Sequence, residues 1–279
     1  MTETLDPRLN AYRPDLADER LHGLVEAKSF VTPTPMRIAA PIAPILKLPQ
    51  LDAVQTSQAL LGEDCLVFET ANGFCWVQLM KDGYVGYVEQ AHLTADISDQ
   101  THRVKVLSTL AYPKPDLRSR PAQLLPLNAK VTVVAITGEF AQLSMGLFVY
   151  KIHLASVADV EKDFVDVAAW FLRTPYLWGG KTNQGIDCSG LVQISLEACG
   201  IASPRDSDMQ EKQLGRLAND KDYRRGDLVF WAGHVGIMVD SKFLLHANGH
   251  AMCTLVEPLH DVIGRSELAG KPVTSIKRF

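Results

Sequence analysis

The stretch of this sequence best equipped for chemistry is TPYLWGGKTNQGIDCSGLVQ, residues 174–193. Glycines at 179, 180 and 185 permit a tight loop in which backbone approaches backbone, and Asp187-Cys188-Ser189-Gly190 then opens a helix with a thiol in its first turn. A free thiol with a pKa near 8.5 is only about 3% thiolate at pH 7. A helix N-terminus and a nearby imidazolium both favour the anion, an expected gain of up to roughly thirtyfold in nucleophile. Among the five cysteines, Cys188 alone has such a place. Cys65 and Cys75 fall in β-like runs, Cys199 on the last turn of the helix and Cys253 at a strand edge, where small buried thiols are ordinary packing. Five thiols cannot all pair, and their low density fits free cysteines in a reducing compartment better than a disulfide framework.

A cysteine nucleophile needs a base within hydrogen-bond reach, and usually a third group to orient that base. In HVGIMVDSKFLLHA, residues 234–247, a hairpin turning through 239–241 pairs Met238 with Lys242 and, in the same register, His234 with His246. Directly opposed residues share a face with Cβ atoms about 5 Å apart. So placed, the two imidazoles supply a base and its orienter, although either taken singly would equally serve as a satisfied core or surface residue. His22, His92, His102, His153, His250 and His260 have no comparable context. Cys188, His234, His246 and Cys253 are also possible metal ligands, but neither HExxH nor paired CxxC spacing accompanies them, and no metal is expected. No phosphate-cradling glycine pattern is present, so no cofactor is expected either. Tyr176 and Trp178 flank the loop and either line a cleft or pack against the first helix.

The elements that must hold these residues read as α+β. Val160, Phe164, Val167, Ala168 and Phe171 have helical spacing with a stop at Pro175, and a second helix runs from Cys188 through Leu191, Ile194 and Ala198 to a cap at Gly200. Strand-like DLVFW, HVGIMV and FLLHA follow. Residues 1–28 are polar, a surface arm with a short helix over 15–27, while 29–97 alternate apolar runs with proline and glycine as a small all-β module does. Residues 98–156 repeat that texture: a shift of 64 places Leu60-Leu61 on Leu124-Leu125, Val67 on Val131 and Gln78-Leu79 on Gln142-Leu143, and a shift of 61 places His92-Leu93 on His153-Leu154. The chain of 279 residues is 47% hydrophobic and 22% charged with a net charge of −4, which favours a folded protein and disfavours nucleic acid or an anionic membrane as partner. No window approaches the roughly 18 apolar residues of a membrane span. The first 23 residues lack the apolar segment of a secretory signal, so with Met1 as the start the expected location is the cytoplasm.

Taken together, Tyr176-Leu177-Trp178-Gly179-Gly180, Asp187-Cys188-Ser189-Gly190-Leu191-Val192, Pro204-Arg205-Asp206-Ser207, Gly226-Asp227-Leu228-Val229-Phe230, His234-Val235-Gly236-Ile237 and Leu245-His246-Ala247 resemble the NlpC family of papain-like bacterial cysteine peptidases. The resemblance covers 157–279, and the two preceding modules, 29–97 and 98–156, more loosely resemble bacterial SH3-like barrels. It implies Cys188 as nucleophile, His234 as general base and His246 as the third member. It further implies the subgroup that cleaves the γ-D-glutamyl bond to a diamino acid in murein peptides with a free N-terminal L-alanine, in cell-wall recycling. Asp206 and Ser207 would hold the substrate's amino terminus, Tyr176, Trp178, Asp187 and Ser189 would surround the substrate, and Tyr87 of the first β module would contact it. Protein partners are not indicated. Three alternatives stay open: an exported hydrolase of intact peptidoglycan, a non-catalytic wall-peptide binding module, and a cysteine-dependent acyltransferase.

Overall fold

Apolar residues alternating with polar ones make the strands that dominate the first half of the chain. The computed structural model describes residues 5–218 and 222–279, and the chain divides into two units, Met1–Val157 and Ala158–Phe279. In the first unit seven strands pair antiparallel in the order Gln55–Leu60, Ile42–Leu46, Val85–Glu89, Phe74–Leu79, Asp64–Ala71, Thr34–Ile38, Leu93–Thr94. Their inward residues, among them Ile45, Ala59, Cys65, Val77, Leu79 and Val88, form one buried core. Val104, Ala111, Leu125, Val131, Ala141, Leu143 and Val149 form a separate core beneath a five-stranded and a three-stranded sheet. The repeat seen in the sequence has a structural counterpart: Gln90–His92 and Lys151–His153 are both single 3-10 turns that lead into short strands. Among the described residues the strand orders of these sheets have two unpaired ends each, so the ladders do not close on themselves.

The polar N-terminal segment departs from expectation. Its first four residues lie outside the described ones, and no helix forms over 15–27. Leu16–Asp18 is instead a strand paired parallel with Ser29–Val31, followed by a 3-10 turn, Glu19–Leu21, whose start Asp18 caps by accepting from the Arg20 amide. Consecutive Leu16 and Ala17 are both buried, which an extended chain achieves here by packing Leu16 with Ala11, Phe68 and Trp76. Gly23 at φ +82° then takes the backbone out of the helical region.

The second unit is α+β, as its pattern predicts. Among the described residues four helices, α1 (Phe164–Ala169), α2 (Cys188–Ala198), α3 (Ser207–Gln213) and α4 (Leu259–Leu268), accompany a six-stranded antiparallel sheet. Its order is Arg216–Leu217, Val273–Arg278, Leu228–Trp231, His234–Met238, Phe243–Asn248, Cys253–Pro258. Helix α1 is shorter than the spacing from Val160 implies, because Asp163 caps it by accepting from the Val165 amide at 2.8 Å. Every residue of α2 except Glu197 is buried, the polar Ser189, Gln193 and Ser195 included, and the helix packs against α1 and the sheet.

Helix α2 meets the glycine loop at backbone distance. A Cβ on Gly190 would stand 2.2 Å from the Gly180 carbonyl oxygen, an atom that cannot swing away as a side chain could. Gly190→Ala is therefore expected to destabilise the fold by about 1–3 kcal/mol, read as a lower midpoint in urea unfolding.

Candidate active site

The loop that precedes α2 is clamped by one carboxylate. Asp187 Oδ1 accepts from the Gly190 amide at 2.7 Å, capping the helix, while Oδ2 accepts from the Gly179 amide at 2.8 Å. Both oxygens also receive the guanidinium of Arg205, from Nη1 at 3.0 Å and Nη2 at 2.7 Å, and Arg205 is 1% exposed. Nη1 donates to Ser189 Oγ as well, at 2.9 Å. The Asp187 carboxylate and the Ser189 hydroxyl are thus hydrogen-bonded within the protein, where they fix the start of the helix. Arg205 stands in the Pro204-Arg205-Asp206-Ser207 motif, but nothing in its spacing signals burial.

Cys188 occupies the first position of α2 and is buried. Burial, followed by the charge of Asp187, pushes its thiol up to about 12, against opposing hydrogen bonds from the Val235 and Ser189 amides and the charge of Arg205. That is the reverse of the lowered pKa expected from a helix start: loss of water outweighs the favourable amides. The Val235 contact matters for assembly, since Val235 directly follows His234 and so ties the thiol to the beginning of the histidine strand. Tyr176 is half-buried, and its phenol is pushed up by burial and then by the charges of Cys188 and Asp187, which keeps it protonated. Trp178 is 63% exposed.

The two histidines meet, although not by the register anticipated. Met238 pairs with Leu244 and Ile237 with Leu245, a slip of two residues from the Met238–Lys242 pairing. The cause is the turn: Asp240 Oδ1 accepts from the Lys242 and Phe243 amides, and Val239 closes onto Phe243, so the loop centres on 240–242. An even slip preserves the face. His234 Nε2 lies 2.8 Å from His246 Nδ1, with ring planes at 62°, edge-on rather than stacked. Behind them, and not singled out from the sequence, stand Glu257 and Asn248: His246 Nε2 is 2.9 Å from Glu257 Oε2 and 2.8 Å from Asn248 Nδ2. A carboxylate near the end of an otherwise apolar strand candidate, CTLVEP, was the signal available for Glu257. Burial, then the neighbouring His246, pushes the His234 imidazole down to about 3, and burial also lowers His246 against the pull of Glu257.

Asp206 and Ser207 lie at the N-terminal end of α3, which packs against α2 and the His234–Met238 strand. Ser207 is buried and Asp206 half-buried. Tyr87 belongs to the first unit, where its hydroxyl accepts from Arg13 Nη1 at 2.8 Å and the same guanidinium lies 4.4 Å from the centre of the Trp76 ring.

Residues 173–262 match the NlpC/P60 family, and residues 45–93 match the bacterial dipeptidyl-peptidase Sh3 domain. The gamma-D-glutamyl-L-lysine dipeptidyl-peptidase of Bacillus subtilis (strain 168) is 30% identical over 246 residues, which span 78% of this chain and 80% of that protein. The chain belongs to the NlpC/P60 family. A protein of the same name from Bacillus cereus (strain ATCC 10987 / NRS 248) is 26% identical over 249 residues, 77% of this chain and 73% of its own. The crystal structure of an NlpC/P60 family protein from Bacillus cereus ATCC 10987 shares the fold, with a TM-score of 0.75 at 19% identity over 88% of this chain and 99% of that one. Family and relatives together support a peptidase that carries an SH3 domain.

Two outcomes follow from the charges. Removing Arg205 leaves the Asp187 carboxylate buried without its partner, so Arg205→Met is expected to cost about 3–5 kcal/mol of stability and to lower activity, measured by urea unfolding and turnover. The histidines set the acid limit. Unfolded imidazoles take protons near 6.5 whereas His234 resists until about 3, so stability is complete above 6.5 and falls as pH drops through that window. His234→Gln is expected to flatten the decline of Tm over that acid range.

Proposed function

We propose that this protein is a cysteine peptidase that cleaves the γ-D-glutamyl to L-diamino acid bond of murein peptides bearing a free N-terminal L-alanine. The observation that carries the reading is the meeting of the α2 start with the histidine strand: Cys188 against the Val235 amide, and His234 Nε2 hydrogen-bonded to His246 Nδ1 at 2.8 Å. The names of the relatives supply the bond type.

In this mechanism the resting pair is neutral thiol and neutral imidazole. Burial opposes ionising either one alone. Transfer of the proton from Cys188 Sγ to His234 Nδ1 makes two opposite charges side by side, so the pair ionises together as the sulfur attacks the γ-carbonyl carbon. The carbonyl oxygen becomes an oxyanion, for which the Cys188 amide and the Tyr176 hydroxyl are the donors. His234 then delivers its proton to the departing amine of the diamino acid, leaving an acyl-enzyme. Water, deprotonated by the same imidazole, attacks that thioester; the acyl group leaves as L-Ala-γ-D-Glu and the thiol is regenerated.

Asp206 at the start of α3 is the acceptor for the substrate ammonium, with Ser207 beside it and Trp178 as an exposed apolar wall. We read both β modules as SH3-like, and the second unit as papain-like. A requirement for a free amine directs the enzyme to released fragments rather than the polymer, hence to recycling in the cytoplasm. A panel of L-Ala-γ-D-Glu-L-Lys and diaminopimelate peptides, free or N-acetylated, tests this. The free peptides should be cut after D-Glu, acetylation should cost several hundredfold in kcat/KM, at roughly 1.4 kcal/mol per tenfold, and Cys188→Ala should abolish turnover. Equal cleavage of free and acetylated peptides, or turnover by Cys188→Ala, overturns the reading.

A further inference from the structure

His246 Nε2 has two neighbours that make opposite demands on it. Glu257 Oε2, at 2.9 Å, requires a proton on that nitrogen, whereas Asn248 Nδ2, at 2.8 Å, is satisfied only by a lone pair there. The Asn248 amide cannot simply be turned over, because its Oδ1 accepts from the Ala251 amide at 2.7 Å. The choice propagates, since His246 Nδ1 faces His234 Nε2 and each ring in its neutral form carries one proton. With the proton on His246 Nε2, His246 Nδ1 accepts from His234 Nε2–H, and His234 Nδ1 bears a lone pair. With the lone pair on His246 Nε2, His246 Nδ1–H donates to His234 Nε2, and His234 Nδ1 is already protonated. Only the first arrangement can take a proton from a thiol.

We propose that Glu257 is a positioning residue that sets the proton ladder of both histidines, holding His234 in the tautomer that can act as a base. The inference rests on the peptidase reading above. An ionised carboxylate is acceptor-only, and hydrogen bonds to it are roughly twice as strong as neutral ones. Arg265 fastens that carboxylate from the far side, Nη1 to Oε1 at 3.1 Å and Nη2 to Oε2 at 2.9 Å. Asn248 Nδ2 has an acceptor of its own in Glu257 Oε2 at 3.3 Å, so both donors converge on one oxygen and the conflict resolves towards protonated Nε2. Take the carboxylate away, and Asn248 is left as the donor facing Nε2; the ladder then inverts.

The test combines ring nitrogen-15 shifts of the full chain near neutral pH with steady-state kinetics. In the parent both rings should show Nε2–H. Glu257→Leu should move the proton to Nδ1 of both rings and lower kcat by roughly 10²- to 10⁴-fold with KM little changed. Adding Asn248→Ala to that variant removes the competing donor and should restore part of both. Should Glu257→Leu fail to fold, Glu257→Gln decides through the same shifts, with a measurable Nδ1–H population expected. Parent-like tautomers in the folded Leu or Gln variant, or no rescue by Asn248→Ala, overturns the proposal. Absence of turnover in the parent instead sinks the peptidase reading, and the ring shifts still report on Glu257.

Discussion

The second unit is organised around a carboxylate and a guanidinium buried together. Asp187 and Arg205 are each too costly to leave alone out of water, and that cost makes their geometry specific: the pair holds only if Gly179, Gly190 and Ser189 stand where their polar atoms meet it. Three places in the chain, 179, 187–190 and 205, are thereby locked to one another. Cys188 lies inside that lock, so its sulfur can be buried against the sheet without the helix start fraying. The glycines serve the same end, since a side chain at Gly190 would part the loop from the helix.

Once the thiol is buried, the electrostatics of the site change sign relative to a surface helix start. Backbone amides and Arg205 favour the anion, yet removal from water outweighs them. His234 is pressed the other way, towards its neutral form. Under the proposed mechanism these two groups, each of which refuses charge alone, exchange a proton because the product is a dipole and not an isolated ion. Behind His234 the row continues through His246 to Glu257, whose carboxyl is raised by burial but held below its ordinary range by Arg265 and His246. A negative charge fixed at the end of that row favours a positive charge arriving at its head.

Much of this was legible in the sequence, for definite reasons. A cysteine between an N-capping aspartate and a glycine marks a helix start, and the hairpin placed both histidines on one face even though its register was read two residues short. Period-two side-chain alternation forgives an even error and would not have forgiven an odd one. Arg205 as the partner of Asp187, and Glu257 as the partner of His246, were not legible, because an ion pair or polar contact between elements leaves no periodic trace. The N-terminal strand was missed through tertiary override: the segment 15–27 has acceptable helix formers, but Leu16 and Ala17 find a buried place only when extended. In the two β modules, antiparallel strands of this length announce pairing without announcing closure.

Cys65 shows why the thiol's raised pKa does not by itself identify a nucleophile. It too is pushed up to about 12, by burial and then by Cys75, Asp64 and Glu63, every one of which opposes the anion. It sits in the apolar core of the first β module, where no compensating donor is among the causes. Cys188 reaches the same value as a balance, with two amides and a guanidinium already arranged for the thiolate and only desolvation and one capped carboxylate against it. A substrate that brings a carbonyl to the sulfur and lets the proton pass to an imidazole shifts that balance; nothing comparable is available at Cys65. Donors already set against desolvation at one atom therefore separate the two thiols better than the raised pKa that they share.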